Sequence, residues 1–335
     1  MLAMLENGAS GNTQAQMLTT MGFDADDEEG FNAYFNRLIK ELPAHSHYTT
    51  LHIANSIWLD EGYPFYTEYL TRTANAYCAA MEELDFSDPK SADVINNWCN
   101  KNTKGKIKSI ISASELSEDL RLAAVNAIYF KSDWADAFKT SNTYKQTFHA
   151  PNGDYQIPFM HEDASYSYFE NEIFRMAQIP YKGQGFCANI IIPSDDNTIA
   201  DVIDHLDAEM FTSALNDQYS QALNLALPKV ELTCTFDLIN IINDLGIIDA
   251  TNPEIADFSR MSKSPLFLGI ARQKTYLNID EKGTTAAAVS MGGMMDAAAP
   301  EPFVPIPFVV DQPYIFIIRE QYSNIILFVG VINKP

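Results

Sequence analysis

The stretch DEKGTTAAAVSMGGMMDAAAPEP, Asp280 to Pro302, decides how the rest of the chain is read. Between Lys282 and Asp296 it carries no charge, and no proline precedes Pro300. Slack linkers favour Gly, Ser and charge, whereas here three alanines lead into Val289 and a Met-Met pair. Gly292-Gly293 interrupts any helix. A strand meets no such obstacle. One face would carry Thr284, Ala286, Ala288, Ser290, Gly292 and Met294, mostly small side chains that can slip between existing strands. Pro300, Pro302, Pro305 and Pro307 then forbid continuation as a central strand. The segment reads as an insertable strand, bounded at its far end.

Outward from this stretch, the first third of the chain is mostly helical. Apolar residues at three-and-four spacing predict helices over Met1–Leu18, Glu28–Leu42 and Pro64–Leu84, with a strand over Leu51–Leu59 between them. Asp88-Pro89 marks the start of a helix that stops near Gly105. Leu122–Phe130 is a nearly continuous apolar run, the pattern of a strand buried on both faces. Thr147–Met160 reads as a hairpin turning at Pro151-Asn152-Gly153, followed by strands at Ala188–Pro193 and Leu223–Val230. Phe236–Leu245 is a helix stopped by Gly246. Tyr276–Ile279, Tyr314–Ile318 and Ile325–Val331 are the last strands. Helices early and strands late, with no repeat or linker, point to one mixed α+β domain with mostly antiparallel sheets.

The bulk properties exclude several functions. The 335 residues are 47% hydrophobic, which is enough for a full core. Twenty-two basic against 44 acidic residues give a net charge of −22, which repels nucleic acid and anionic membrane surfaces. No apolar run reaches the length of a membrane span. Cys78, Cys99, Cys187 and Cys234 are scattered and form no CxxC pair. His45-Ser46-His47 sits in a polar turn and reads as solvated rather than metal-binding. There is no GxSxG, no glycine-rich phosphate loop and no HExxH. An enzyme, a cofactor and a metal are all unsupported.

Several motifs carry a resemblance. They are IDEKGTTAAAV (Ile279–Val289), FVVDQPYIFIIR (Phe308–Arg319), NIILFVGVINKP (Asn324–Pro335), NAIYFKSDW (Asn126–Trp134), LPKVELTCTFDL (Leu227–Leu238) and NKNTKGKI (Asn100–Ile107). In order and spacing the chain resembles an inhibitory serpin of prokaryotic type along almost all of its length. The resemblance implies a single domain over 1–335, with three β-sheets, eight or nine helices and an exposed reactive-centre loop at about 281–307. It also implies that Met1 falls inside the family's second helix, so that the preceding helix and a short strand are missing.

The implied mechanism is suicide-substrate trapping. A serine protease attacks the loop and forms an acyl-enzyme; the cut loop then enters the main sheet as a new strand and drags the protease with it. At about 3.3 Å per residue, Gly283–Ala297 would span roughly 50 Å. That is about the diameter of a globule this long.

Residue by residue, the resemblance makes Glu281 the acid at the loop's root, Gly283 the hinge glycine and Thr284 the first position to enter the sheet. Ala286, Ala287 and Ala288 match the small-residue run of inhibitory members. Lys229 matches the acid's basic partner, and Trp134 the aromatic beneath it, where the sheet first opens. Asn126 matches the polar residue at the sheet's centre. Gln273 stands where relatives commonly have a histidine bonded to that Asn, and Gln can both donate and accept in its place.

The usual spacing from Glu281 makes Ala297–Ala298 the attacked bond, with Met294–Met295 as the alternative. Small Ala suits the narrow primary pocket of elastase-like enzymes, and no Lys or Arg lies between Met291 and Phe308 to suit a trypsin-like one. The expected protein is therefore a secreted, extracellular monomer whose partner is an elastase-like serine protease held in a covalent acyl complex. The alternative is a non-inhibitory serpin: a carrier, a chaperone or a plain protease substrate.

Overall fold

The computed structural model describes residues 1–23, 28–284 and 304–335. In chain order the helices are α1 (Leu2–Glu6), α2 (Gly11–Met21), α3 (Glu28–Glu41), α4 (Thr67–Tyr77), α5 (Lys90–Asn102), α6 (Ile199–His205), α7 (Ala208–Asp217) and α8 (Leu238–Asp244). The first seven strands are β1 (Thr49–Asp60), β2 (Ala80–Leu84), β3 (Leu122–Asp133), β4 (Thr143–Ala150), β5 (Gly153–Glu170), β6 (Phe174–Pro180) and β7 (Phe186–Pro193). The last seven are β8 (Tyr219–Pro228), β9 (Val230–Asp237), β10 (Ile270–Asp280), β11 (Gly283–Thr284), β12 (Ile306–Val309), β13 (Tyr314–Glu320) and β14 (Ile326–Ile332).

Two compact units emerge. The first comprises Met1–Ala44, Leu51–Tyr129 and Thr233–Tyr276; the second comprises His45–Thr50, Phe130–Leu232 and Leu277–Pro335. The first unit has two apolar cores. One packs α1 and α2 (Met4, Leu5, Met17) with Ile57 and Leu59 of β1 and Ile242 of α8. The other packs Ile95 and Cys99 of α5 with Trp58, Ala123 and Val125. In the second unit Phe174, Met176, Ile191, Ile315 and Ile317 bury against Val202 of α6 and Phe211 of α7.

One sheet has the strand order β2-β1-β3-β11-β10-β9. The remaining eight strands form one hydrogen-bonded sheet in the order β12-β8-β5-β6-β7-β13-β14, with β4 also paired to β5. β5 is its longest strand. Its first half pairs with β4, Phe159–Tyr168 pair with β8, and Ser167–Glu170 pair with β6. At 18 residues β5 is long enough to pair with β4 along its first half and with β6 at its end, which makes these strands continuous in hydrogen bonding. The fold is α+β, as the sequence implies.

The local departures have physical causes. The helix read over Met1–Leu18 breaks after Glu6, because Gly8 packs against Met261 and Gly11 has φ +54°. The helix read over Pro64–Leu84 ends at Tyr77, where Cys78 takes a left-handed conformation (φ 49°). The chain then becomes β2, parallel to β1 in the register Ser56 to Ala80. The hairpin at Pro151-Asn152 starts four residues earlier than read, pairing Thr143 to Met160, and its second strand β5 runs on to Glu170. Strand β6 and helices α6 and α7 have no counterpart in the sequence reading. The helices nevertheless carry their caps in plain view: Thr198 with Asp201 in a capping box, and Asp207 accepting from Met210 N–H.

Candidate functional site at the root of the loop

Within the second unit, the residues at the loop's root converge on a short inserted strand. β11 pairs antiparallel with the end of β10 (Ile279 with Thr284) and antiparallel with the end of β3 (Thr284 with Ser132). Only a glycine can make this approach. Gly283 has φ +151°, and a Cβ there would sit 2.2 Å from Ser132 O, 2.6 Å from Asp133 Cα and 2.9 Å from Trp134 N. The sequence reading gave Gly283 the task of turning; the structure adds a tight backbone contact that no larger residue can share.

Thr284 follows at 2% exposure. Its Oγ1 lies 2.7 Å from the Tyr181 hydroxyl, a pair in which either oxygen can donate. Burial pushes the Tyr181 hydroxyl far up in pKa, so it stays protonated and keeps its hydrogen bond at any physiological pH. The Tyr181 ring stacks on Trp134, with centroids 4.5 Å apart and planes at 6°. Trp134 Nε1 donates to Asp280 O (3.0 Å), and Trp134 N donates to Lys282 O (2.7 Å). Trp134 therefore holds both sides of the bend between β10 and β11, one through its indole and the other through its backbone.

Glu281 sits in that bend with its side chain 12% exposed. It accepts from Lys229 Nζ (2.7 Å) and from Thr143 Oγ1 (2.9 Å). Burial pushes its carboxyl up, but the bonds from Lys229, from its own backbone and from Thr143 outweigh that and leave it below the ordinary value. Glu281, Lys229, Trp134, Gly283 and Thr284, each named from the sequence, are thus brought together. Tyr181 and Thr143 were not foreseen. Their roles depend on the end of β6 bringing Tyr181 to Thr284 and the start of β4 bringing Thr143 to Glu281, which no local pattern reveals.

Asn126 and Gln273 lie in the first unit. β3 and β10 pair in parallel there, and the two residues are partners in register. The expected bond between them is not the one formed. Asn126 Nδ2 donates to Asn55 Oδ1 (2.9 Å) on β1, and Asn55 Nδ2 donates on to Tyr77 O (3.2 Å). Asn55 is 5% exposed, and the only hint of it in the sequence is one amide in the apolar run LHIANSIWL. Ala286, Ala287, Ala288, Met294, Met295, Ala297 and Ala298 lie outside the described residues. Among the described residues no cluster of three or more His, Cys, Asp or Glu is placed to hold a metal ion.

A family model for Serpin (serine protease inhibitor) matches residues 1–335. The chain belongs to the serpin family. It is 31% identical to an uncharacterized serpin-like protein of Thermococcus kodakarensis, over 100% of this chain and 78% of that one. It superposes on the native state of the thermophilic serpin Tengpin with TM-score 0.89 at 27% identity, over 100% of this chain and 86% of that one. Thyroxine-binding globulin in complex with thyroxine is similar too, with TM-score 0.87 at 26% identity, over 100% of this chain and 89% of that one. Serpins are mostly protease inhibitors rather than enzymes, and the family also holds non-inhibitory members such as thyroxine-binding globulin.

Proposed function

We propose that this serpin traps an elastase-like serine protease outside the cell. It acts as a monomer: the enzyme is acylated on the loop over 281–307, and the cut loop is then drawn in between β3 and β10. The supporting observation is β11. The first residue of the loop to enter the sheet, Thr284, already lies buried between the two strands, antiparallel to both. Glu281, Lys229 and Trp134 hold the bend from which further insertion would start. The attacked bond is Ala297–Ala298, with Met294–Met295 as second choice.

Mixing the protein with pancreatic elastase tests this reading. The expected product is an SDS-stable complex together with a released C-terminal fragment beginning at Ala298. A fragment beginning at Met295 would move the bond and leave the mechanism intact. Cleaved protein without complex, and with no gain in melting temperature after cleavage, would instead identify a non-inhibitory serpin.

A further inference from the structure

Helix α8 carries more apolar surface than the core takes up. Ile242 is buried in the first unit's core, and Leu238 and Ile239 pack against it. One such face is enough to seat a surface helix. Ile241 and Leu245 form a second. They lie one turn apart, joined by the Leu245 N–H bond to Ile241 O (3.0 Å), and both are exposed. Phe236, just before the helix, and Ile248, just beyond Gly246, are exposed as well. Leu245 and Ile248 keep 56% and 55% of their surface open, so neither is half-seated in the core.

The surroundings carry one sign of charge. From Thr233 to Ser259 the chain has five acids, Asp237, Asp244, Asp249, Glu254 and Asp257, and no Lys or Arg. The end of α2 lies against this place, with Thr20 Oγ1 donating to Leu245 O (3.1 Å), and residues 1–36 also lack Lys and Arg. Asp237 is bonded to Arg272, and Asp249 to Asn12 and Gln16. Asp244, the last residue of α8, and Glu254 are exposed. Asp244 is three residues from Ile241 and one from Leu245, so acid and apolar side chains share the same turn.

Charge and area decide what can cover this face. A second copy would bring a net charge of −22 against −22. Four half-open side chains amount to on the order of a few hundred Å², short of the ~800 Å² per partner that a stable dimer buries. Anionic membrane surfaces are repelled by the same acids. A segment with apolar residues along one side and Lys or Arg beside them meets both features at once.

We propose that the exposed face of α8 docks a basic amphipathic helix of another protein. Its apolar residues lie along Ile241, Leu245 and Ile248, and its cationic side chains turn to Asp244 and Glu254. Laying one apolar helix face on another apolar surface is a common mode of peptide recognition. The negative field of the chain steers such a partner in and the apolar stripe holds it. The interaction is independent of whether the loop traps a protease.

The test titrates the full chain into a fluorescein-labelled amphipathic peptide made of leucine and lysine at helical spacing, read by anisotropy. Saturable one-to-one binding is expected. A peptide of the same composition, scrambled so that its leucines share no face, should bind about tenfold more weakly, as should the original peptide to the double variant Leu245→Ser, Ile248→Ser. Asp244→Lys should weaken the lysine peptide and strengthen its glutamate counterpart. All three substitutions are at exposed positions, and an unchanged melting temperature shows that the fold is kept. Equal binding of the ordered and scrambled peptides overturns the proposal, because general attraction to the negative chain would then account for everything. Unchanged affinity in the double variant overturns it too. So does dimerisation of the chain, or its binding to phosphatidylcholine vesicles, when either is lost in the double variant, since a second copy or a lipid surface would then be what covers α8.

Discussion

Replacing Gly283 by alanine should loosen the loop's root from the sheet. The added Cβ meets three backbone atoms, Ser132 O at 2.2 Å, Asp133 Cα at 2.6 Å and Trp134 N at 2.9 Å, so no side-chain rotation can relieve it. Holding alanine at φ +151° adds strain of about 1–3 kcal/mol. The alternative is for β11 to leave β3. That breaks the Trp134 N–H bond to Lys282 O and separates Thr284 from Tyr181. Each bond contributes about 1 kcal/mol, and a buried hydroxyl left unpaired adds a further ~1–3 kcal/mol. Whichever route the chain takes, Gly283→Ala should destabilise the native state by about 2–4 kcal/mol.

That is a large share of the ~5–15 kcal/mol typical of native proteins. Urea unfolding monitored by tryptophan fluorescence measures it directly, because Trp134 sits against the bend. Lys282→Ala, one residue away and without the close approach, is the control and should stay within about 0.5 kcal/mol of the parent. Should Gly283→Ala unfold at the same urea concentration as Lys282→Ala, the tight packing of β11 on β3 is not how this chain holds its loop.

Tyr181→Phe removes the only partner, among the described residues, of a Thr284 hydroxyl in a residue 2% exposed and should lower stability by about 1–2 kcal/mol; an unchanged midpoint would mean that the pair contributes nothing. Glu281 has a lowered folded pKa, so its stabilisation is present above the unfolded carboxyl value of about 4.3 and is lost as pH falls through the folded value. Glu281→Gln should therefore flatten the acid limb of a stability–pH curve between about pH 5 and 3, and an unaltered limb would show that the bonds from Lys229 and Thr143 do not act on this carboxyl. Glu162 has the opposite sign. Its Oε2 is buried without a hydrogen-bond partner among the described residues, and burial first, then Asp136 and Asp163, push its pKa up against the pull of Lys139. Glu162→Gln should raise stability at pH 7 by on the order of 1 kcal/mol, and the gain should vanish below about pH 4, where both folded and unfolded carboxyls are protonated.

The parts of this molecule legible in sequence are those whose cause is local. The run LAAVNAIYF could only be a buried strand, and Gly283-Thr284, at the head of the uncharged stretch, reads as fit for a sheet and forms β11. The fold that joins them came from resemblance, because composition alone stops at one mixed domain. What escaped depends on distant partners. β2 looks helical on its own and becomes a strand because β1 offers it a parallel edge. Tyr181 becomes a hinge residue because β6 delivers it beside Thr284, 103 positions later in the chain. Asn126 bonds Asn55 rather than Gln273, because a neighbour in register along a parallel pair need not direct its amide across the gap. The departure noted in the sequence, Gln for His, thus sits beside an asparagine that has a partner on its other side.

The pairing at β11 also explains why insertion, if it proceeds as proposed, should run in one direction. β3 and β10 are parallel to each other where they touch, from Ala123 with Ile270 to Ala127 with Lys274. β11 is antiparallel to both. Each further residue of the loop that continues β11 would replace part of one parallel ladder with parts of two antiparallel ones. Parallel pairing is slightly the weaker of the two per residue. The exchange therefore gains a ladder and improves the geometry of those retained. What opposes it is the parallel ladder that must part first, from Ala123 with Ile270 to Ala127 with Lys274, while the bonds to Glu281 and to Asp280 O keep the bend in place. A loop with charge or bulk in its leading residues would add a desolvation penalty at each step of that exchange. Thr284, a small side chain whose hydroxyl is already bonded to Tyr181, adds none at the first.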